Sequence, residues 1–287
     1  MVICKTAPDI AATLLLHQQP KSGIGFVPTM GALHQGHISL IKTAKQQCPV
    51  VVSSIFVNPT QFNDLNDFEK YPVTIEKDID ALEAAGCDVL FLPAVKEMYP
   101  QGLAATEIYQ LGFLETVLEG KYRPGHFQGV CRVVQRLFDI VKPQIAFFGQ
   151  KDYQQCMVIQ KLVELKNMPI ELFMCPTQRE PNGLAMSSRN MRLTVAERQT
   201  AAVIYQTLQR IGAAVTALEN DFAGLKMQAA ATLTNAGFRP DYVEIADAAT
   251  LELLKAPAGR KKIVALIAAY LGEVRLIDNL VIDLGKG

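Results

Sequence analysis

Residues 24–37, Ile24-Gly-Phe-Val-Pro-Thr-Met-Gly-Ala-Leu-His34-Gln-Gly-His37, decide the fold. The opening run is short and apolar, as a strand buried on both faces is. It gives way to a glycine-bearing loop, and helical spacing follows over residues 34–47. Residues 50–57, Val-Val-Val-Ser-Ser-Ile-Phe-Val, are rich in β-branched side chains and read as the next strand. A strand, a loop, a helix and a second strand in this order form the repeating unit of a parallel sheet.

The alternation continues outward from this unit. Residues 75–85 have helical spacing, with Gly86 as a stop, and residues 88–93 read as a strand. An amphipathic helix is expected over 130–141, a strand over 145–149, a helix over 152–165 and a strand over 170–175, just before Pro176. The pattern predicts an α/β fold, a Rossmann-like parallel sheet covered on both faces. The rhythm then changes. Helical stretches at 194–218 and 222–236 precede strand-like runs at 241–245, 262–271 and 274–282, which predicts a smaller α+β domain. The expected division is 1–176 and 177–287. The sequence shows no internal repeat and no low-complexity tract.

Composition narrows the function. A chain of 287 residues exceeds one ordinary core. Lys and Arg balance Asp and Glu at 28 each, which argues against a broad nucleic-acid footprint but leaves room for a local anion pocket. No apolar run approaches the roughly 20 residues of a membrane span, and the N-terminus lacks a secretory pattern. The six cysteines are far apart and form no CxxC pair. They read as reduced, buried thiols of a cytoplasmic protein, neither a disulfide frame nor a zinc site.

Five segments carry candidate chemistry. Pro28 to His37 begins where the first strand ends, and open α/β sheets bind ligands there. Gly31 permits a tight turn and Gly36 a close backbone approach. His34 and His37 share one face if helical, at a helix start that favours an anion. They are candidate donors to phosphate oxygens; the alternative is two surface histidines or half of a metal site. Phe148-Gly149-Gln150-Lys151-Asp152-Tyr-Gln-Gln155 lies at another strand-to-helix turn, with Lys151 as a point charge for phosphate and Asp152 as a helix cap; the alternative is an ordinary capped turn with a solvated lysine. Met186-Ser187-Ser188-Arg189 offers hydroxyls, backbone amides and a guanidinium to a polyphosphate; the alternative is a polar loop before a helix. Asn58 and Gln61, in Phe56-Val-Asn-Pro-Thr-Gln-Phe62, offer amides to a hydroxyl or carboxylate, with Phe62 as a wall; the alternative, a turn at Asn-Pro, explains Asn58 but not Gln61. Arg123-Pro-Gly-His126-Phe reads as a loop, a candidate lid or phosphate contact over residues 121–127.

Together these segments resemble the pantothenate synthetase (pantoate–β-alanine ligase) family of the HxGH nucleotidyltransferase superfamily. PTMGALHxGH, FVNPTQF, RPGHFxGV, FGQKDYQQ and GLAMSSRN occur in the family's order, and the likeness runs from about residue 20 to 280. The resemblance implies ATP-dependent condensation of (R)-pantoate with β-alanine to pantothenate, AMP and pyrophosphate, through pantoyl adenylate. It implies ATP contacts at Met30, Gly31, Ala32, Leu33, His34, Gly36 and His37, at Gly149, Gln150, Lys151 and Asp152, at Gln178 through its backbone, and at Met186, Ser187, Ser188 and Arg189. His37 matches the family's proton donor, with His34, Lys151 and Arg189 beside it in the catalytic set. Gln61 and Gln155 match its pantoate glutamines, and Gln61 also its β-alanine contact. Magnesium is implied, held mostly by phosphates, with Asp78 a candidate helper; so are a homodimer paired through nucleotide domains and a C-terminal domain covering the active site.

Three rivals are weighed against this reading. Phosphate-acceptor adenylyltransferases share HxGH but are shorter and lack the two glutamine segments. A fragment of an aminoacyl-tRNA synthetase would bring an anticodon-binding module or a basic surface. A non-catalytic sensor of the same fold would not need His34, His37, Lys151 and Arg189 together.

Overall fold

The computed structural model describes residues 1–16, 23–63, 65–104, 107–257 and 259–285. Its contacts divide the chain into two units. One holds Met1–Gln150 and Gln154–Pro176; the other holds Lys151–Tyr153 and Thr177–Gly287.

Among the described residues, the first unit contains a six-stranded parallel sheet: β1 (Val2–Cys4), β2 (Ile24–Thr29), β3 (Val50–Ile55), β4 (Val89–Phe91), β5 (Ile145–Gly149) and β6 (Glu171–Cys175), in the order β1-β4-β3-β2-β5-β6. Its helices include α1 (Ala7–Leu16), α2 (Gln35–Gln47), α3 (Leu65–Glu69), α4 (Ile75–Ala84), α5 (Val95–Met98), α6 (Leu118–Tyr122), α7 (His126–Val141) and α8 (Tyr153–Leu165). The sheet is apolar on both faces because strand side chains alternate. Phe26, Val52, Phe91 and Phe148 enter one core with Ile10, Phe127, Phe138 and Ile159. Their neighbours Val27, Val51, Leu90 and Phe147 enter a second core with Ile41, Ala44 and Leu82. Phe26 is fully buried, and cutting it to Ala would cost about 3–5 kcal/mol.

The second unit has a three-stranded antiparallel sheet, β7 (Phe238–Asp247), β8 (Lys262–Leu271) and β9 (Val274–Asp283). Its helices are α9 (Val195–Ala201), α10 (Val203–Thr216) and α11 (Phe222–Asn235). Ile263, Ala265, Ile267 and Ala269 of β8 pack with Ile204, Leu208, Ile211, Phe222 and Leu233 in this unit's core. The architecture is thus α/β and Rossmann-like, followed by a small α+β unit.

Several elements differ from the sequence expectation. β1 and α1 precede the strand read as first. That strand continues through Pro28 to Thr29. The helix expected over 194–218 is two, α9 and α10, meeting at Ala202. The helix expected from residue 130 begins at His126, so residues 121–127 comprise the end of α6, a turn over 123–125 and the start of α7.

Candidate active site

The strand order reverses at β2 and β5: β3 and β4 lie to one side of β2, β5 and β6 to the other. Ligands of open α/β sheets bind beyond the strand ends at such a reversal. Met30 to His37 follow β2, and Gly149 and Gln150 close β5.

His34 is the N-cap of α2, in extended conformation, and His37 is its third helical residue. His34 Nδ1 accepts the Gly36 N–H at 3.1 Å, and His37 Nδ1 accepts the His34 N–H at 3.3 Å. This is a capping box built from two imidazoles in place of the usual Ser/Thr and Glu/Gln. The rings lie 4.1 Å apart between centroids. A nitrogen that accepts an N–H carries no proton, so these bonds place the proton of each neutral ring on Nε2. One atom of each ring holds the helix start, and the other is a donor at its positive end.

The loop before the helix is held from below. Gly31 and Ala32 both have left-handed backbones, φ 82° and 50°, a conformation that suits glycine and strains alanine. Asp78, on α4 and only 2% exposed, accepts the Ala32 N–H at 2.9 Å on Oδ2 and the Leu33 N–H at 2.8 Å on Oδ1. Thr74 Oγ1–H donates to Oδ1 as well, at 3.1 Å. Consecutive N–H groups around a left-handed residue form an anion cradle, and here the protein's own carboxylate fills it. Asp78, expected as a magnesium helper, has both oxygens engaged on the loop.

Gln61 ends a 3-10 turn, Pro59–Gln61, capped by Asn58. Asn58 is 1% exposed and fully used. Its Oδ1 accepts from Thr60 N–H, Thr60 Oγ1 and Tyr99 OH, and its Nδ2 donates to Gln61 Oε1 and the Gly129 carbonyl. Asn58 is therefore the anchor of the turn. Gln61 Nε2 donates to Met30 Sδ at 2.9 Å, which joins this turn to the loop after β2. His126, expected in a lid or phosphate-binding loop, is buried. Its Nδ1–H donates to the Gln61 carbonyl at 2.7 Å, and Arg123 Nη1 donates to its Nε2 at 3.0 Å. A Cβ on Gly129 would lie 2.1 Å from the Thr60 carbonyl oxygen, so only glycine lets α7 approach the turn. Phe62 packs edge-on to Phe68 and Tyr71. Gln155 is half-buried in the first turn of α8, while its neighbour Gln154 is buried and bonds Glu119 N–H and the carbonyls of Leu114 and Val117.

The remaining candidates belong to the second unit. Lys151 and Asp152 lie in a 3-10 turn, Gln150–Asp152, with Lys151 Nζ 3.6 Å from Asp152 Oδ1. Asp152, expected as a cap, ends that turn and directly precedes α8. The Gln178 carbonyl accepts the Met186 N–H at 3.0 Å, closing a tight loop around Gly183, whose φ is 94°. Ser187 caps the 3-10 helix Ser188–Arg192 by accepting the Arg189 N–H at 3.3 Å. Asn58 caps the turn that Asn-Pro signals in sequence, whereas the bonds of His126 and Asp78 leave no local signal, because their partners lie 65 and 45 residues away.

A family model described as pantoate-beta-alanine ligase matches residues 2–281. A pantothenate synthetase of Pseudomonas putida (strain W619) is 47% identical over 282 residues, 98% of each chain. One from Azotobacter vinelandii is 46% identical over 284 residues, 99% of this chain and all of that one. Among solved structures, a pantothenate synthetase from Thermus thermophilus superposes with a TM-score of 0.90 at 41% identity, covering 99% of this chain and 100% of the other. Pantoate-beta-alanine ligase from Francisella tularensis, complexed with beta-gamma ATP and beta-alanine, gives 0.81 at 40% identity over 98% and 97%.

Proposed function

Since the chain belongs to the pantoate–beta-alanine ligase family, we propose how its residues divide the work of the family's reaction. The enzyme is a ligase that condenses (R)-pantoate with β-alanine at the expense of ATP, giving pantothenate, AMP and pyrophosphate. In the first step a pantoate carboxylate oxygen attacks the α-phosphorus. The bond to the bridging oxygen breaks, and pyrophosphate leaves. In the second, the β-alanine amine attacks the acyl carbon of pantoyl adenylate. The C–N bond forms, AMP leaves with the acyl oxygen, and the amine gives up a proton.

The observation that carries the assignment is the histidine pair at the start of α2, where each Nδ1 accepts a backbone N–H. His34 and His37 present Nε2–H donors at the start of α2, beside the reversal between β2 and β5. Such donors stabilise charge as it builds on the phosphates, with His37 giving its Nε2 hydrogen bond to the leaving group. Met30 to Leu33, Gly36, Gly149 and Gln150 bring backbone close to ATP. Lys151 and Arg189 supply cationic charge, with Asp152, the Gln178 backbone, Met186, Ser187 and Ser188 as further ATP contacts. Gln61 and Gln155 bind pantoate, and Gln61 also meets β-alanine. The fixed amide of Gln61 suits this role, because Asn58 takes its oxygen and thereby sets which way the NH2 lies.

ATP enters as its magnesium complex, the ion ligated mostly by phosphate oxygens. We place the enzyme in the cytoplasm; its six cysteines are free and buried, a state that suits a reducing compartment. A homodimer paired through the nucleotide domains is the assembly the family resemblance carries.

The test is pyrophosphate release from Mg·ATP. Pantoate alone should give one equivalent per site, and adding β-alanine should turn this into steady turnover with AMP. A folded, ATP-binding protein that releases nothing with pantoate would overturn the acyl-adenylate reading and favour a phosphate acceptor.

A further inference from the structure

A buried polar cluster in the second unit has a destination. β9 is largely apolar, yet it carries Asp278 and Asn279 side by side, 5% and 2% exposed. Asp278 receives Arg179 through two bonds, Nη1 to Oδ2 at 2.6 Å and Nη2 to Oδ1 at 3.0 Å. Its Oδ1 also accepts the Asn279 N–H at 2.8 Å. Arg179 stacks on Tyr205 at 3.7 Å from the ring centre and donates to the Gly183 carbonyl at 3.1 Å. Asn279 Nδ2 donates to the backbone carbonyl of Lys151 at 2.9 Å. From the same three-residue segment, Tyr153 OH donates to the Ala248 carbonyl at 2.6 Å.

Buried ion pairs on an apolar strand are weak sources of stability, and apolar replacements of similar volume are often neutral or better. The two ends of this cluster are instructive. One end is Lys151. The other is the loop Gln178 to Met186, with Arg179 at its root and Gly183 at its tip, from which Ser187 to Arg189 emerge. The segment Lys151–Tyr153 accordingly packs with the second unit, although the chain carries it from the end of β5 into the first residue of α8.

We propose that Asn279, backed by the Asp278–Arg179 pair, is a positioning residue for adenylation. It fixes the Lys151 backbone in register with the loop that carries Met186 to Arg189, so that the lysine and the arginine are held as one rigid set. The inference rests on the assignment of Lys151 and Arg189 to ATP phosphates made above.

The test compares Asn279→Leu, which keeps volume and removes the donor, with Lys151→Met, in steady-state assays with all three substrates. Asn279→Leu should lower kcat/KM for ATP by about 10- to 100-fold, the range a displaced catalytic group produces, and leave KM for β-alanine unchanged. A merely structural loss would lower kcat in proportion to unfolded protein, with both KM values unmoved, and would overturn the proposal. So would wild-type kcat/KM for ATP in Asn279→Leu when Lys151→Met is slow. Wild-type rates in Lys151→Met would overturn the lysine's assignment and this inference with it. Should Asn279→Leu fail to fold, Tyr153→Phe, which removes one hydroxyl from the same segment, decides by the same split between the two substrates.

Discussion

His34 and His37 spend Nδ1 on the start of α2, and the proposed chemistry uses Nε2, so capping and chemistry are separable by substitution. His34→Asn retains a good N-cap acceptor but lacks the Nε2–H. It should melt near the wild-type temperature while pyrophosphate release falls about 100-fold, the typical value of one lost charge-stabilising donor. Wild-type release from this variant would contradict the role given to Nε2. Asp78→Asn tests the loop from behind. An amide has one acceptor oxygen for two backbone N–H groups and turns its NH2 toward the other, which costs about 1–3 kcal/mol of stability. KM for ATP should rise while KM for β-alanine holds, because Gly31 and Ala32 lose the bonds that hold their left-handed geometry; equal KM values in kinetic assays would assign Asp78 to folding alone. The histidines, Gln61, Lys151 and Arg189 can be proposed from sequence alone because motif spacing exposes them. The bonds of Asp78 to the loop and of Asn279 to Lys151 cannot, since the partners lie 45 and 128 residues away and no local pattern records such pairs.

Among the elements, the long apolar strands and α2, α4 and α8 could be read from periodicity, since each is buried in a regular pattern. β1 is three residues long with two exposed, too short for a period to show. The break at Ala202 falls in Thr200-Ala-Ala-Val203, which has neither glycine nor proline to mark it. The early start of α7 depends on the left-handed Gly125, whose role becomes visible only in the fold. α9 begins with a capping box in which Thr194 Oγ1 accepts the Glu197 N–H and Glu197 Oε2 accepts the Thr194 N–H. Thr194→Ala should cost about 1 kcal/mol in a denaturant titration. Bonds from the Thr194 N–H and hydroxyl hold the Glu197 carboxyl below the usual range, with a small opposing desolvation. Because the folded-state value is the lower one, this contribution is complete above the ordinary carboxylate range and fades as pH falls through the lowered value. Stability of Glu197→Gln should accordingly depend less on acid than that of wild type; identical acid profiles would remove the box from the account.

For the molecule as a whole, the change from alternating strands and helices to helices followed by strands was visible along the chain, and balanced charge with scattered cysteines set the class. Burial pushes the Cys87 and Cys131 thiols up to about 12 and Cys175 up to about 11, so at pH 8 they are protonated. A thiol reagent at that pH should label the native enzyme slowly and all six cysteines once it is denatured; fast stoichiometric labelling of these three in native protein would contradict the packing. The account's central claim concerns the reaction these parts serve, and isotope transfer tests it most directly. Turnover of pantoate labelled with oxygen-18 in both carboxylate positions should deliver one labelled oxygen to the phosphate of AMP and keep one in the amide carbonyl of pantothenate. AMP without label would mean that the carboxylate never attacks the α-phosphorus, and the acyl-adenylate mechanism would fall.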